Sequence, residues 1–128
     1  MASIFTKIVN GEIPSYKIAE SDKFLAFLDV FPLVKGHTLV IPKKEVDYIF
    51  DVDDELLGEM IVFAKQVARK IEAAIPCERI GVSVIGLEVP HAHIHLIPIN
   101  HVGDMNFSKN KLQLTEGELK EIQQTIVG

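Results

Sequence analysis

Three of the five histidines in this chain fall at positions 91, 93 and 95, in the run His-Ala-His-Ile-His-Leu-Ile-Pro that ends at Pro98. A step of two is the β-strand period, so His91, His93 and His95 are predicted to project from one face while Ala92, Ile94 and Leu96 project from the other. Read as a helix the run makes little sense. His93 would turn away from His91 and His95, and Pro90 and Pro98 bracket the segment as helix-limiting residues. Imidazole, with an unperturbed pKa near ~6.5, is largely neutral yet protonatable at physiological pH. A row of such side chains can supply a nucleophile and proton donors next to each other.

The elements that must hold this row are legible along the chain. Ile4 to Val9 is a short apolar stretch closed by Asn10-Gly11 and Pro14. Tyr16 to Glu20 and Phe24 to Asp29 read as a β-hairpin across Ser21-Asp22. Phe31-Pro32 and Gly36 mark a loop, followed by a strand from His37 to Ile41 that stops at Pro42. Leu56, Leu57, Met60, Ile61, Ala64, Val67, Ala68 and Ile71 recur at three- and four-residue steps behind Asp51, Asp53 and Asp54, the pattern of an amphipathic helix with an acidic first turn. Arg79 to Ile85 reads as a strand, Gly86 to Pro90 as a turn, and His91 to Ile97 as the histidine strand. A polar loop from Asn100 to Lys111 leads to a capping-box pattern at Thr115-Glu116-Gly117-Glu118 and a final helix with Leu119, Ile122 and Ile126 on its apolar face. Strands in series with one long helix inserted and another at the end predict an α+β fold, an antiparallel sheet with helices packed on it. A doubly wound parallel sheet would need several strand-helix alternations, and there is one.

With 128 residues, 48% hydrophobic and 24% charged, the chain fits one compact domain with no repeat, low-complexity tract or dividing linker. A net charge of -5 argues against a surface for DNA, RNA or acidic membrane, because neutralising many phosphates needs a basic stripe. A single small anion remains within reach of local donors. Cys77 stands alone, which excludes an internal disulfide and a thiolate-rich zinc site and suits a reducing compartment. The start, Met1-Ala2-Ser3-Ile4-Phe5, carries no signal-peptide pattern, and no apolar run is long enough to span a bilayer. A cytoplasmic protein is expected. Neither a G-x-x-x-x-G-K-[ST] nor a G-x-G-x-x-G loop occurs, so a nucleotide would be held another way.

His-Ala-His-Ile-His-Leu-Ile resembles the signature of the histidine triad (HIT) family, histidines alternating with apolar residues. Ile4-Phe5, Lys7-Ile8, Glu12-Ile13-Pro14, Phe27 with Asp29, and Gly36-His37 through Leu39-Val40-Ile41-Pro42-Lys43-Lys44 fall in the order seen in that family's Hint-like branch. The resemblance covers roughly residues 3 to 98. It implies a single HIT-like domain over 1–110 with 111–128 as a C-terminal helical extension. It also implies a nucleotide hydrolase or transferase, a purine nucleoside phosphoramidase or nucleotidyl hydrolase acting on the α-phosphate of AMP or GMP conjugates. No cofactor or metal is implied, and a homodimer is.

Carried over by position, the resemblance makes His93 the nucleophile that forms a nucleotidyl-histidine, which divides one hard displacement into two easier steps. It assigns His95 to the phosphate oxygens, and His91 and His37 to orienting and polarising the neighbouring rings. Asp29 is implied to bind the ribose hydroxyls, and Ile4, Phe5, Ile8 and Phe27 to form the slot for the base. A third histidine is similar to the hydrolase-like branches, where the galactose-phosphate uridylyltransferase branch usually has a glutamine. Hint-like members commonly carry Gln and then Ser or Thr just before the triad, where this chain has Leu87 and Glu88. Leu87 has no hydrogen bond to donate. An ionised Glu88 at 4 Å from a phosphate would cost about 4 kcal/mol at an effective dielectric of 20, so the leaving group is where this chain is expected to differ.

Plainer readings compete at each position. A nucleotide- or zinc-binding regulatory protein with little turnover is the alternative function. An i, i+2 histidine pair on a strand can chelate zinc with His37 as a third ligand. His91 and His95, about 13 Å apart along the backbone, cannot share an ion with His93 without distortion. Some family members carry Cys-x-x-Cys near the N-terminus as zinc ligands, and the matching stretch here is Ser3-Ile4-Phe5-Thr6. His37 taken alone reads as a structural histidine at a strand start, Asp29 as a turn residue before Phe31-Pro32, and Ile4, Phe5, Ile8 and Phe27 as core. His101 is expected to be uninvolved.

Overall fold

The computed structural model describes residues 2–128; Met1, where the expected domain begins, lies outside the described residues. Helix α1 spans Ile4–Val9, strands β1 Lys17–Glu20, β2 Phe24–Leu28 and β3 Thr38–Pro42, helix α2 Asp54–Ala74, strands β4 Arg79–Ser83 and β5 Ile94–Ile99, and helix α3 Glu116–Val127. Short 3-10 turns occupy Ile49–Asp51 and Val102–Met105. The strands form one antiparallel sheet in the order β1-β2-β3-β5-β4, and the α+β architecture expected from the sequence is the one found.

Alternation along the strands divides the core. Ala26, Leu28, Val40, Ile94 and Leu96 face α2 and α3, where Met60, Val67 and Ile71 of the long helix and Leu119, Ile122 and Ile126 of the last one close the main cluster. The intervening Leu25, Phe27, Leu39 and Ile41 point to the opposite side, where Phe5 of α1 packs on them. The caps are those the sequence marks. Asp53 accepts from Leu56 N at the start of α2, and Thr115 and Glu118 form a reciprocal capping box on α3.

Every strand differs from expectation at one end or both, β4 and β5 by more than one residue, and α1 was not anticipated as a helix. Ser3 caps α1 by accepting from Thr6 N, and Gly11 at φ 78° ends it, donating to Ile8 O at 3.1 Å while Glu12 N donates to Lys7 O at 2.9 Å. Strand β4 stops at Ser83, not Ile85. The histidine strand begins at Ile94, not His91, and runs through Pro98, which sits opposite Ile80. The later start has a local cause. Past Pro42 the chain stays bonded to the start of β2, with Lys43 N donating to Lys23 O at 2.7 Å, while Ala92 N is taken by Val46 O at 2.7 Å. No continuous ladder partner is left for His91 to His93. Among the described residues no helix is long and apolar enough to cross a membrane.

Candidate active site

Gly36, at φ 94°, makes the turn into β3 with the Ile75 and Pro98 side chains 3.2 Å from where a Cβ would stand, and it delivers His37 to the sheet. The His37 ring is buried, and its Nδ1 accepts from Leu33 N at 3.0 Å. An amide can only donate, so the neutral ring carries its proton on Nε2. That proton is donated to His95 Nδ1 at 2.9 Å. His95 is thereby fixed in the tautomer that keeps its own proton on Nε2. Burial, with His95 next in importance, holds His37 down at about 3, and burial followed by His93 holds His95 down at about 4, so both rings are neutral at pH 7.

The other two histidines are set by a different pair of carbonyls. His93 Nδ1 donates to the carbonyl of His91 at 2.8 Å, which puts the lone pair of the neutral ring on Nε2. His91 Nε2 donates to the carbonyl of Pro42 at 2.7 Å, and its Nδ1 accepts from the Ser3 hydroxyl at 2.8 Å. Burial lowers the pKa of His91 from its ordinary value. Among the described residues no fully buried side-chain nitrogen or oxygen lacks a partner, so the unbonded Nε2 atoms of His93 and His95 are accessible. One offers a lone pair and the other a proton, on rings whose centroids are 4.9 Å apart.

These atoms open into a cavity of about 210 Å³ lined by His37, His93 and His95 together with Asp29 and Glu88. Ile85, Gly86 and Leu87 from the turn after β4, and Phe107 and Lys111 from the loop before α3, complete its wall. Asp29 serves the turn and the cavity at once. Its Oδ1 accepts from Phe31 N at 2.9 Å, and Oδ2 stands 3.7 Å from His37 Nε2. Burial pushes the Asp29 carboxyl up, against the bond from Phe31, and Lys111 is among the charges that pull it back.

Five expected site residues lie outside the cavity wall. His91 is fully buried behind it. Phe5 stacks edge-on against His93 at 5.0 Å and His91 at 5.8 Å, and Phe27 packs on Phe5 at 5.5 Å, so both aromatics back the triad. Ile8 joins their cluster, and Ile4 is about half exposed at 49%. Phe107 and Lys111 were not anticipated. Phe107 caps the histidine pair with its ring 4.8 Å from His95 and 6.2 Å from His37, and Lys111 Nζ donates to Phe107 O at 2.6 Å. Nothing in the spacing of this polar loop marks them. His101 caps the 3-10 turn at Val102–Met105.

A cation would find its ligands elsewhere than the i, i+2 pair. Asp29, His37 and His95 offer ligand atoms within 4.8 Å of one another. Both histidines, however, are committed by the order of their hydrogen bonds. The His37 nitrogen facing Asp29 bears the proton that Leu33 forces onto it, so an ion there would have to displace the His37–His95 bond.

The chain is similar to proteins of known family. A HIT domain is matched over residues 10–102. A HIT-like protein of Borreliella burgdorferi is 36% identical over 96% of this chain and 94% of its own length. The adenosine 5'-monophosphoramidase HNT1 of Saccharomyces cerevisiae is 39% identical over 76% of this chain and 62% of its own length. The crystal structure of a Hit-like protein from Bartonella henselae superposes with a TM-score of 0.85 at 32% identity, covering 98% of this chain and 93% of that one. The HIT domain match spans most of the chain and these relatives cover it at above 30% identity, and the chain belongs to the HIT family.

Proposed function

We propose that the protein hydrolyses conjugates of a purine nucleoside monophosphate, AMP or GMP joined through the α-phosphate to an amine or an acid, by way of a nucleotidyl-histidine. The observation that carries this reading is the opposed pair of tautomers, a lone pair on His93 Nε2 beside a proton on His95 Nε2. In the first step His93 Nε2 bonds to phosphorus and the bond to the leaving group breaks, a departing amine taking a proton from solvent, which is returned when water loses a proton in the second step. His95 Nε2–H donates to a phosphate oxygen as charge gathers there, at a site where no water need reorganise. Water then attacks phosphorus, releasing the nucleotide and restoring His93.

The cavity of about 210 Å³ is smaller than the roughly 300–1,000 Å³ of pockets that enclose whole ligands. It suits the phosphate and the atoms bonded to it. The ribose would reach the Asp29 carboxylate, and the base would lie toward α1, where Ile4 and Ile8 offer apolar surface over Phe5 and Phe27. The phosphoramidase activity of the yeast relative supports an amine-linked substrate. We further infer a cytoplasmic homodimer. The lone Cys77 suits a reducing compartment, and β4 is an edge strand carrying an exposed Val82, the kind of edge a second copy covers.

Intact-mass measurement after brief exposure to an amine-linked AMP tests the chemistry. The expected result is one added nucleotidyl group that is absent in His93→Ala. Turnover with no adduct, or an adduct that persists in His93→Ala, would overturn the assignment.

A further inference from the structure

We propose that Ser3, Thr6 and Glu45 are positioning residues that lock the His91 ring in one tautomer and, through it, aim His93. The inference rests on His93 being the nucleophile. The three residues lie outside the catalytic cavity and form a closed set of bonds. Glu45 Oε1 accepts from Ser3 N and from the Thr6 hydroxyl, each at 2.6 Å. Ser3 Oγ accepts from Thr6 N at 3.0 Å as the helix cap, which leaves its hydroxyl proton for His91 Nδ1 at 2.8 Å.

Each link constrains the next. The Pro42 carbonyl can only accept, so His91 must hold its proton on Nε2 and present a lone pair at Nδ1. A hydroxyl donor at Ser3 meets that lone pair. Pinned at both nitrogens, the His91 ring holds its own backbone, and the His91 carbonyl is the atom that accepts from His93 Nδ1 at 2.8 Å. Since β5 begins only at Ile94, no continuous sheet ladder holds residues 91 to 93 in its place. Helix α1 also carries Phe5, whose ring lies 5.0 Å from that of His93, so the clamp that seats Ser3 seats the packing surface of the nucleophile as well. The charged and titratable groups beside the His91 ring are Glu45 and His93.

Three substitutions at Ser3 separate this role from simple capping. Asp caps a helix about as well as Ser, but a carboxylate has no proton to give to His91. Ser3→Asp should therefore keep the thermal midpoint near that of wild type, put protons on both His91 nitrogens in 15N spectra, and lower kcat about 10- to 100-fold with KM within about 2-fold, the scale of a reacting group held slightly out of place. Ser3→Ala should lose a similar factor in kcat. Ser3→Thr, which restores a hydroxyl, should recover most of it. A Ser3→Asp protein with wild-type kcat and an unchanged His91 tautomer would overturn the inference, and so would losses in kcat that follow thermal stability and not the hydroxyl. An inactive wild type would instead count against the proposed reaction, and the His91 spectra would still decide the clamp.

Discussion

The two faces of the sheet are built by alternate residues of the same strands and are asked to do different things. On the side covered by α2 and α3, β5 contributes Ile94 and Leu96 to a cluster made entirely of apolar side chains. On the other side the same strand contributes His95, the loop before it contributes His91 and His93, and the cover is a six-residue helix and the loop carrying Phe107. Apolar burial holds the first face, with no direction to satisfy. The second face buries four histidines, each fixed by a hydrogen bond of the right kind at one or both ring nitrogens, with the Nε2 atoms of His93 and His95 left open to the cavity. Helix α2 makes the first face stable, and hydrogen-bond order leaves on the second an open lone pair beside an open proton.

Substitutions should separate the faces. His93→Ala is expected to lower turnover by at least ~1000-fold, because it removes the reaction path, while nucleotide binding and the thermal midpoint remain close to wild type. Ile94→Ala, one residue away on the same backbone, should do the reverse. It empties a buried site against α2 and should cost about 2–5 kcal/mol of unfolding free energy by urea titration, with kcat of the folded fraction retained. If each substitution impaired stability and turnover alike, the separation of faces would have to be abandoned.

The histidine face should also set the acid limit of stability. His37 titrates at about 3 and His95 at about 4 in the folded protein, both below the ordinary 6.5 of an unfolded chain. Depression of a base means that the unfolded chain takes up protons first. The stability is therefore full above pH 6.5 and falls as the pH drops toward the folded values, by about 1.4 kcal/mol per pH unit for each of these histidines. Glu20 and Glu45, held near 2 by their hydrogen-bond partners, add their own losses only below their ordinary 4.5. The interval between pH 6.5 and 4.5 thus reports the depressed histidines, with Asp29, whose carboxyl burial pushes up, acting in the opposite direction. Urea midpoints that stay flat across it would mean that these rings charge without unfolding the protein.

How much of this the sequence disclosed follows the same division. The apolar face was legible because its rule is periodicity. The long helix shows its stripe at Met60, Ala64, Val67 and Ile71, and the hairpin shows its alternation. The triad was legible as residue types at a spacing, and His37 and Asp29 through resemblance alone. Helix α1 was missed because six residues are too few for a helical period, although Ser3 and Asn10-Gly11 are its stop signals at each end. The start of β5 was misplaced because a strand needs a neighbour, and neighbours are set by chains remote in sequence. Phe107 and Lys111 were invisible for that reason too. They reach the cavity only because the loop is tied back, with Leu112 N donating to Pro32 O at 2.8 Å.

The smallest expected effect concerns the mouth of the cavity, where Glu88 and Lys111 line the same wall with opposite charge. Glu88 stands where the resemblance to the Hint-like branch leads one to expect a hydroxyl. A leaving amine gains positive charge as it departs, so a carboxylate near it should lower the barrier for amine-linked substrates. An anionic leaving group would be repelled by Glu88 and drawn by Lys111. Both side chains are exposed, and solvent screening restricts each to a change of a few-fold, on the order of ~1 kcal/mol. Glu88→Ser should raise kcat/KM for mixed anhydrides relative to phosphoramidates, and Lys111→Met should lower it. The measurement is that ratio in wild type and both variants at low and moderate salt, with the difference shrinking as salt is added. Opposite movements would assign leaving-group choice to this charge pair. Ratios that stay fixed would mean that both groups point to solvent, and that discrimination rests on the fit of the leaving group against Ile85 and Leu87.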